Sequence, residues 1–168
     1  STSKISFPGS GVAALASSDN NIKEILKQMS IQTIGYDKVN QLRHVRFFKD
    51  LDGIKNQMRK HAEILRPKFE LVESILKEQL GEYNDVSWSK PKGGYFITLY
   101  VDNIAKEVID RCKKCGLILT EAGCAFPYHN DINNSVIRIA PTYPSLEQLE
   151  IATNILCLSV KIEREMVN

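Results

Sequence analysis

From Ile54 onward, apolar residues recur at three- and four-residue steps: Ile54, Met58, Ala62, Leu65, Phe69, Val72, Leu76 and Leu80. That spacing lines one face of an α-helix, and a face this long must be covered by other parts of the fold. Asp52-Gly53 precedes the pattern and Gly81 is placed to stop it. Pro67 falls within it. A proline removes one hydrogen bond from the ladder and crowds the preceding turn, so a kink or break is expected near Arg66.

Beyond Gly81 the period changes. Val86-Ser87-Trp88 is short and alternating, and Gly93-Gly94 leads into the aromatic and β-branched run Tyr95 to Val101, a predicted strand. Asn103 is expected to cap an amphipathic helix from Ile104 to Cys115, with Gly116 ending it. Leu117-Ile118-Leu119-Thr120 reads as a strand, residues 121 to 134 as a loop, and Ser135 to Ala140 as a further strand closed by Pro141. Ser145 and Gln148 form a capping-box pattern that opens the last helix, with Leu149, Ala152, Leu156 and Val160 along one face. The order from Ile54 is helix, strand, strand, helix, strand, strand, helix. It predicts an α+β fold, a small mixed or antiparallel sheet covered by helices.

The first fifty residues read differently. Residues 1 to 18 are small and rich in Gly, Ser and Ala. Ser18 or Asp19 then caps a short helix bearing Ile22, Ile25, Leu26 and Met29, and Gly35 punctuates the stretch that follows. A second helix is expected from Lys38 to Phe48, bearing Val39, Leu42, Val45 and Phe48.

Charge excludes some partners. The 22 basic residues are scattered among 20 acidic ones for a net +2, with no basic stripe, so no nucleic-acid partner is expected. No apolar run approaches membrane-spanning length and no signal peptide is visible, which points to a cytoplasmic protein without a membrane partner. Cys112 and Cys115 have CxxC spacing. A zinc site would need two more ligands, with Cys124 and His129 the nearby pair; the alternative is that both thiols serve the inner face of the helix they end. We expect no metal site.

Two residues carry chemistry. Lys4 sits among small hydroxyls, Ser1-Thr2-Ser3-Lys4, ahead of Pro8-Gly9-Ser10-Gly11. A positioned lysine amine condenses with an aldehyde, and hydroxyls with the backbone N–H groups of a glycine-rich turn suit a phosphate. The plain alternative is a flexible, solvated N-terminus. Arg138 lies in the apolar run Val136 to Pro141. It is either a bidentate clamp for a carboxylate or an edge-strand arginine on a solvated face. Tyr95 and the loop from Thr120 to Tyr128 either approach a ligand or serve packing and connection, while His44 and His61 read as packed or surface histidines.

Together these residues resemble the C-terminal part of a class I, fold-type I pyridoxal-phosphate aminotransferase. The likeness is carried by Ser1-Thr2-Ser3-Lys4 with Pro8-Gly9, by Lys92-Gly93-Gly94-Tyr95-Phe96-Ile97, and by the run from Gly116 through Ala122-Gly123 to Ile137-Arg138-Ile139-Ala140-Pro141. The segments Asp37 to His44 and Leu65 to Phe69 resemble a narrower bacterial aspartate aminotransferase subgroup, related to the aminotransferase-like domains of GntR-type regulators.

The resemblance implies that Lys4 is the catalytic lysine bonded to pyridoxal 5'-phosphate, that Ser1 and Ser3 bind the cofactor, and that Arg138 binds the substrate carboxylate. It implies an amino acid, aspartate foremost, and a 2-oxo acid as substrates of a homodimeric parent. Residues 1–50 would be a remnant of the large cofactor-binding domain and 51–168 the small domain. Asn40 and Gln41 are expected near an active site, either the chain's own or a partner subunit's.

One departure stands out. Many class I members carry a phosphate-binding arginine soon after the Pro-Gly, where this chain reads Ser10-Gly11-Val12. The groups that hold the cofactor ring in the family lie before the lysine. The chain, which opens on Ser1, is therefore expected to be a fragment that is inactive and cofactor-free alone, with Lys4 disordered or displaced. The alternatives are a non-catalytic effector-sensing domain of a transcription regulator and a stand-alone interaction module.

Overall fold

The computed structural model describes residues 1–7 and 9–167. Pro8 of the expected Pro8-Gly9 turn lies outside the described residues. The elements are α1 (Asp19–Gln32), α2 (Lys38–Phe48), α3 (Leu51–Leu80), β1 (Ser87–Trp88), β2 (Ile97–Tyr100), α4 (Ala105–Lys114), β3 (Val136–Ile139) and α5 (Leu146–Val167), with a short 3-10 turn at Pro127–His129. The chain divides into two compact units, Ser1–Ala62 and Glu63–Asn168, and the division falls within α3.

The second unit is the expected α+β layer. Its sheet is antiparallel, in the order β1-β2-β3. Trp88 pairs with Leu99, and Ile97, Thr98 and Leu99 pair with Ile139, Arg138 and Ile137. Side chains alternate across a pleated sheet, so Ile97, Leu99, Ile137 and Ile139 all turn inward. They meet Val72, Leu76 and Leu80 of α3, Val108 and Cys112 of α4, and Leu156, Cys157 and Val160 of α5 in one core. Arg138 and Thr98 lie on the opposite face, both half-buried.

Polar contacts fix the periphery. Lys68 Nζ donates to the carbonyls of Thr142 (2.8 Å) and Pro144 (2.6 Å), which pins the loop following β3. Arg164 pairs with both carboxylate oxygens of Asp85 at 2.6 and 2.7 Å, and its guanidinium lies 3.9 Å over the Tyr83 ring. This contact holds the end of α5 against the approach to β1. The Ser145–Gln148 capping box is present, with Ser145 Oγ accepting from Gln148 N and Gln148 Oε1 accepting from Ser145 N.

Several local expectations are corrected. Helix α3 runs unbroken through Pro67. The Glu63 carbonyl, four residues back, loses its partner on an exposed stretch where water can serve it. Leu117 to Thr120 forms no strand. Leu117 N instead bonds Cys112 O while Gly116 N bonds Lys113 O, a Schellman closure of α4 that Gly116 permits at φ 85°. Leu117 and Leu119 still pack on the core while Ile118 is exposed, which explains the alternation.

Asn103 does not cap α4. The cap comes from Asn134, whose carbonyl accepts from Ala105 N and whose Oδ1 accepts from Lys106 N, both at 2.8 Å. Of the expected inner face of α2 only Phe48 is buried; Val39, Leu42 and Val45 are exposed. Cys115 is exposed although Cys112 is in the core. Among the described residues, no helix is long and apolar enough to cross a membrane.

Two buried thiols give a test of the core. Burial pushes the Cys157 thiol up from its ordinary 9.0 to about 12 and raises Cys112 too. The unfolded chain then loses these protons before the folded one does, so stability is full below about pH 9 and falls as pH rises toward 12. Thiol labelling near neutral pH, mapped by mass spectrometry, should modify Cys115 quickly, with Cys112 and Cys157 modified only on unfolding. Leu76→Ala should cost about 2–5 kcal/mol in denaturant melts.

Candidate active site

The lysine stands on a closed turn, not on a loose end. The Thr2 carbonyl accepts from both Ile5 N and Ser6 N at 2.9 Å, so Lys4 lies inside one helical turn. Thr2 is held from the other side as well: its N–H donates to Val12 O at 2.7 Å, and its Oγ1 accepts from Val12 N at 2.8 Å. This ladder folds residues 9 to 12 back onto the turn. A Cβ at Gly11 would lie 2.5 Å from Ser3 Oγ and 3.1 Å from Ser3 Cα, so only glycine allows so close an approach.

The hydroxyls beside Lys4 are paired. Ser1 Oγ and Ser3 Oγ are 2.6 Å apart, and Ser3 N donates to Ser1 Oγ at 3.2 Å. Both residues are exposed, as is Lys4. Two hydroxyls this close can serve one anion together, and a primary amine on the same turn can attack a carbonyl.

Helix α2 backs the turn. Asp37 caps it, accepting from Asn40 N at 2.8 Å. Asn40 Nδ2 donates to Ser10 O at 2.9 Å, and its Oδ1 is buried without a hydrogen-bond partner. His44 is buried, with Nδ1 2.8 Å from Asn40 O and Nε2 2.8 Å from Ser6 Oγ. Phe7 packs edge-on against His44 and Phe47 and stacks on Phe48. Sequence reading had His44 as a packed or surface residue and did not connect it to the lysine. Its one sequence signal is a four-residue step from Asn40 on a helix whose apolar residues face outward.

Arg138 belongs to the second unit. Flanked in β3 by Ile137 and Ile139 of the core, it projects from the opposite face, where its Cζ lies 4.6 Å from the centroid of Phe96. Its Nε is buried without a hydrogen-bond partner. β3 is an edge strand of the sheet, and Arg138 is half-buried on the face away from the core. A guanidinium steadied by a ring, with an unserved N–H, suits a planar carboxylate. Phe96 was quoted only as part of a motif, and its contact with Arg138 follows from the register of β2 and β3. Tyr95 is half-buried just before β2. In the loop from Thr120 to Tyr128, Gly123 packs against the His129 carbonyl, where a Cβ would clash, and Tyr128 is exposed at φ 57°.

The first unit thus presents an exposed lysine on a hydroxyl-lined turn, and the second a half-buried arginine on a small helix-covered sheet. The chain belongs to the aspartate amino-transferase family, whose model matches residues 1–167. It is 51% identical over 153 residues to a Mycolicibacterium smegmatis protein carrying an aminotransferase name, covering 90% of this chain and 36% of that protein. It is 44% identical over 153 residues to an aspartate aminotransferase of Corynebacterium glutamicum, covering 90% of this chain and 35% of the relative. The crystal structure of an aspartate transaminase from Corynebacterium glutamicum superposes with a TM-score of 0.88 at 42% identity, over 95% of this chain and 38% of that one. The chain thus spans about a third of the length of the curated relatives it matches.

Arg138 is expected to contribute little to stability. Its buried Nε offsets the gain from stacking on Phe96. Arg138→Met should therefore leave the denaturation midpoint unchanged or raise stability by about 1 kcal/mol. A loss above about 2 kcal/mol would mark Arg138 as structural.

Proposed function

We propose that this chain supplies the lysine and the carboxylate-binding arginine of a pyridoxal-phosphate-dependent aminotransferase. The enzyme would exchange an amino group between an amino acid, aspartate foremost, and a 2-oxo acid. The observation that carries the reading is the Ser1–Lys4 turn, where an exposed lysine adjoins two hydroxyls 2.6 Å apart. The first unit is read as part of a large cofactor-binding domain and the second as the small domain. The parent is read as a cytoplasmic homodimer, in keeping with the resemblance of the sequence.

The residues present fit the cofactor. Lys4 would hold it by its aldehyde, and the Ser1 and Ser3 hydroxyls would take phosphate oxygens. Gly11, which lets the backbone close on Ser3, keeps that hydroxyl in place. When bound, the cofactor supplies an electron sink that acidifies the substrate Cα–H. Lys4 Nζ would move the proton at that carbon, because a primary amine on a short turn can reach and release it without moving the backbone. Arg138 would bind the substrate α-carboxylate through its planar fork. The phosphate-binding arginine common in class I members is replaced here by Ser10-Gly11-Val12, so hydroxyls and backbone carry more of that task.

In the full-length protein, Lys4→Ala should abolish the visible absorbance of bound cofactor. Persistence of that absorbance would show that Lys4 is not the lysine that holds the cofactor. Arg138→Lys should lower kcat/KM for amino and oxo acid alike by about 10²-fold, because a point charge cannot replace a bidentate fork. The 168-residue chain alone should neither bind the cofactor stoichiometrically nor turn over substrate. Either property in the isolated chain would contradict that part of the proposal.

A further inference from the structure

We propose that His44 is the positioning residue of the lysine turn, acting through Ser6 and Thr2. The inference rests on the reading of Lys4 as the cofactor lysine. His44 Nδ1 faces the Asn40 carbonyl, which can only accept, so Nδ1 carries a proton. Nε2 lies 2.8 Å from Ser6 Oγ, so ring and hydroxyl share one hydrogen bond. Ser6 Oγ also donates toward Thr2 Oγ1 and the Thr2 carbonyl, both at 3.1 Å, and Thr2 Oγ1 accepts from Val12 N–H at 2.8 Å. These contacts join Val12, Thr2, Ser6, His44 and the α2 backbone in one hydrogen-bonded chain.

Lys4 lies midway between the two relay hydroxyls, two residues from each. The chain of bonds therefore fixes both ends of the turn that carries it. Ser6 is 4% exposed and His44 8%, and the Phe7 and Phe48 rings pack on the imidazole at centroid distances of 5.2 and 5.9 Å. In this sheltered place a broken link leaves a polar group unpaired, so the links act as a unit. Neither Thr2, Ser6 nor His44 is needed to touch the cofactor. Their effect is to hold Lys4 in the one conformation from which it can.

The test uses the full-length holoenzyme. Ser6→Ala and His44→Ala should each weaken pyridoxal-phosphate binding about tenfold, the worth of one buried hydrogen bond. The double variant should be no worse than either single one, as for members of one relay. Amide hydrogen exchange should quicken across residues 1–12 in all three variants while that of the β2 and β3 peptides stays unchanged. His44→Gln, which can both donate and accept, should restore most of the protection, and histidine nitrogen shifts should report the Nδ1–H tautomer.

Additive losses, affinity within about twofold of the parent, or unchanged exchange at residues 1–12 would overturn the proposal. If His44→Ala does not fold, Ser6→Ala and Thr2→Val carry the same comparison. Lys4→Ala, measured alongside, separates the two claims. Retained cofactor absorbance there refutes the role of Lys4, whereas exchange at residues 1–12 tests the relay without reference to the cofactor.

Discussion

A sheet of three short strands can be buried on one face only, and the second unit is organised around that limit. Ile97, Leu99, Ile137 and Ile139 fill the inner face, and α3, α4 and α5 close over them. Because the period of a strand is two, committing these residues to the core commits Thr98 and Arg138 to the other side. The position of the arginine follows from the burial of its neighbours. A slip of one residue in the pairing of β2 with β3 would send Arg138 into the core, where an unpaired guanidinium is costly. The placement of Arg138 is therefore as secure as the register that apolar burial enforces.

The lysine turn obeys a different rule. It has little apolar surface to bury and is held by directional bonds: Thr2 to Val12 on one side, and Ser6 to His44 on the other. Such bonds contribute about 1 kcal/mol each but specify geometry closely. Glycine at position 11 allows the two strands of this loop to touch. The aromatic cluster of Phe7, Phe47 and Phe48 shelters the bonds nearest α2. Orientation matters more than stability at a reactive amine, so a hydrogen-bonded cradle suits it.

Much of this was readable in advance, for identifiable reasons. The helices announce themselves by period, and β2 and β3 by runs of β-branched and aromatic residues. The turn that carries Lys4, Ser1 and Ser3 involves only local contacts, which a short motif can signal. What failed was non-local. The cap of α4 comes from Asn134, 28 residues beyond the Lys106 N–H it serves, so the nearer Asn103 was chosen. The alternation at Leu117–Thr120 correctly marked a buried side but not the absence of a strand beside it. In α2 the apolar pattern pointed to Val39, Leu42 and Val45, while His44 and Phe48 are buried. The reason is the polar partner Ser6, 38 residues away, which no window on the helix reveals.

The account turns on which lysine holds the cofactor. Borohydride reduction of the full-length holoenzyme, followed by proteolysis and mass spectrometry, fixes the pyridoxyl group to the lysine it occupies. The mass of a phosphopyridoxyl group should appear on Lys4. Its appearance on any other lysine, or on none, would contradict the assignment of the Ser1–Lys4 turn as the catalytic element.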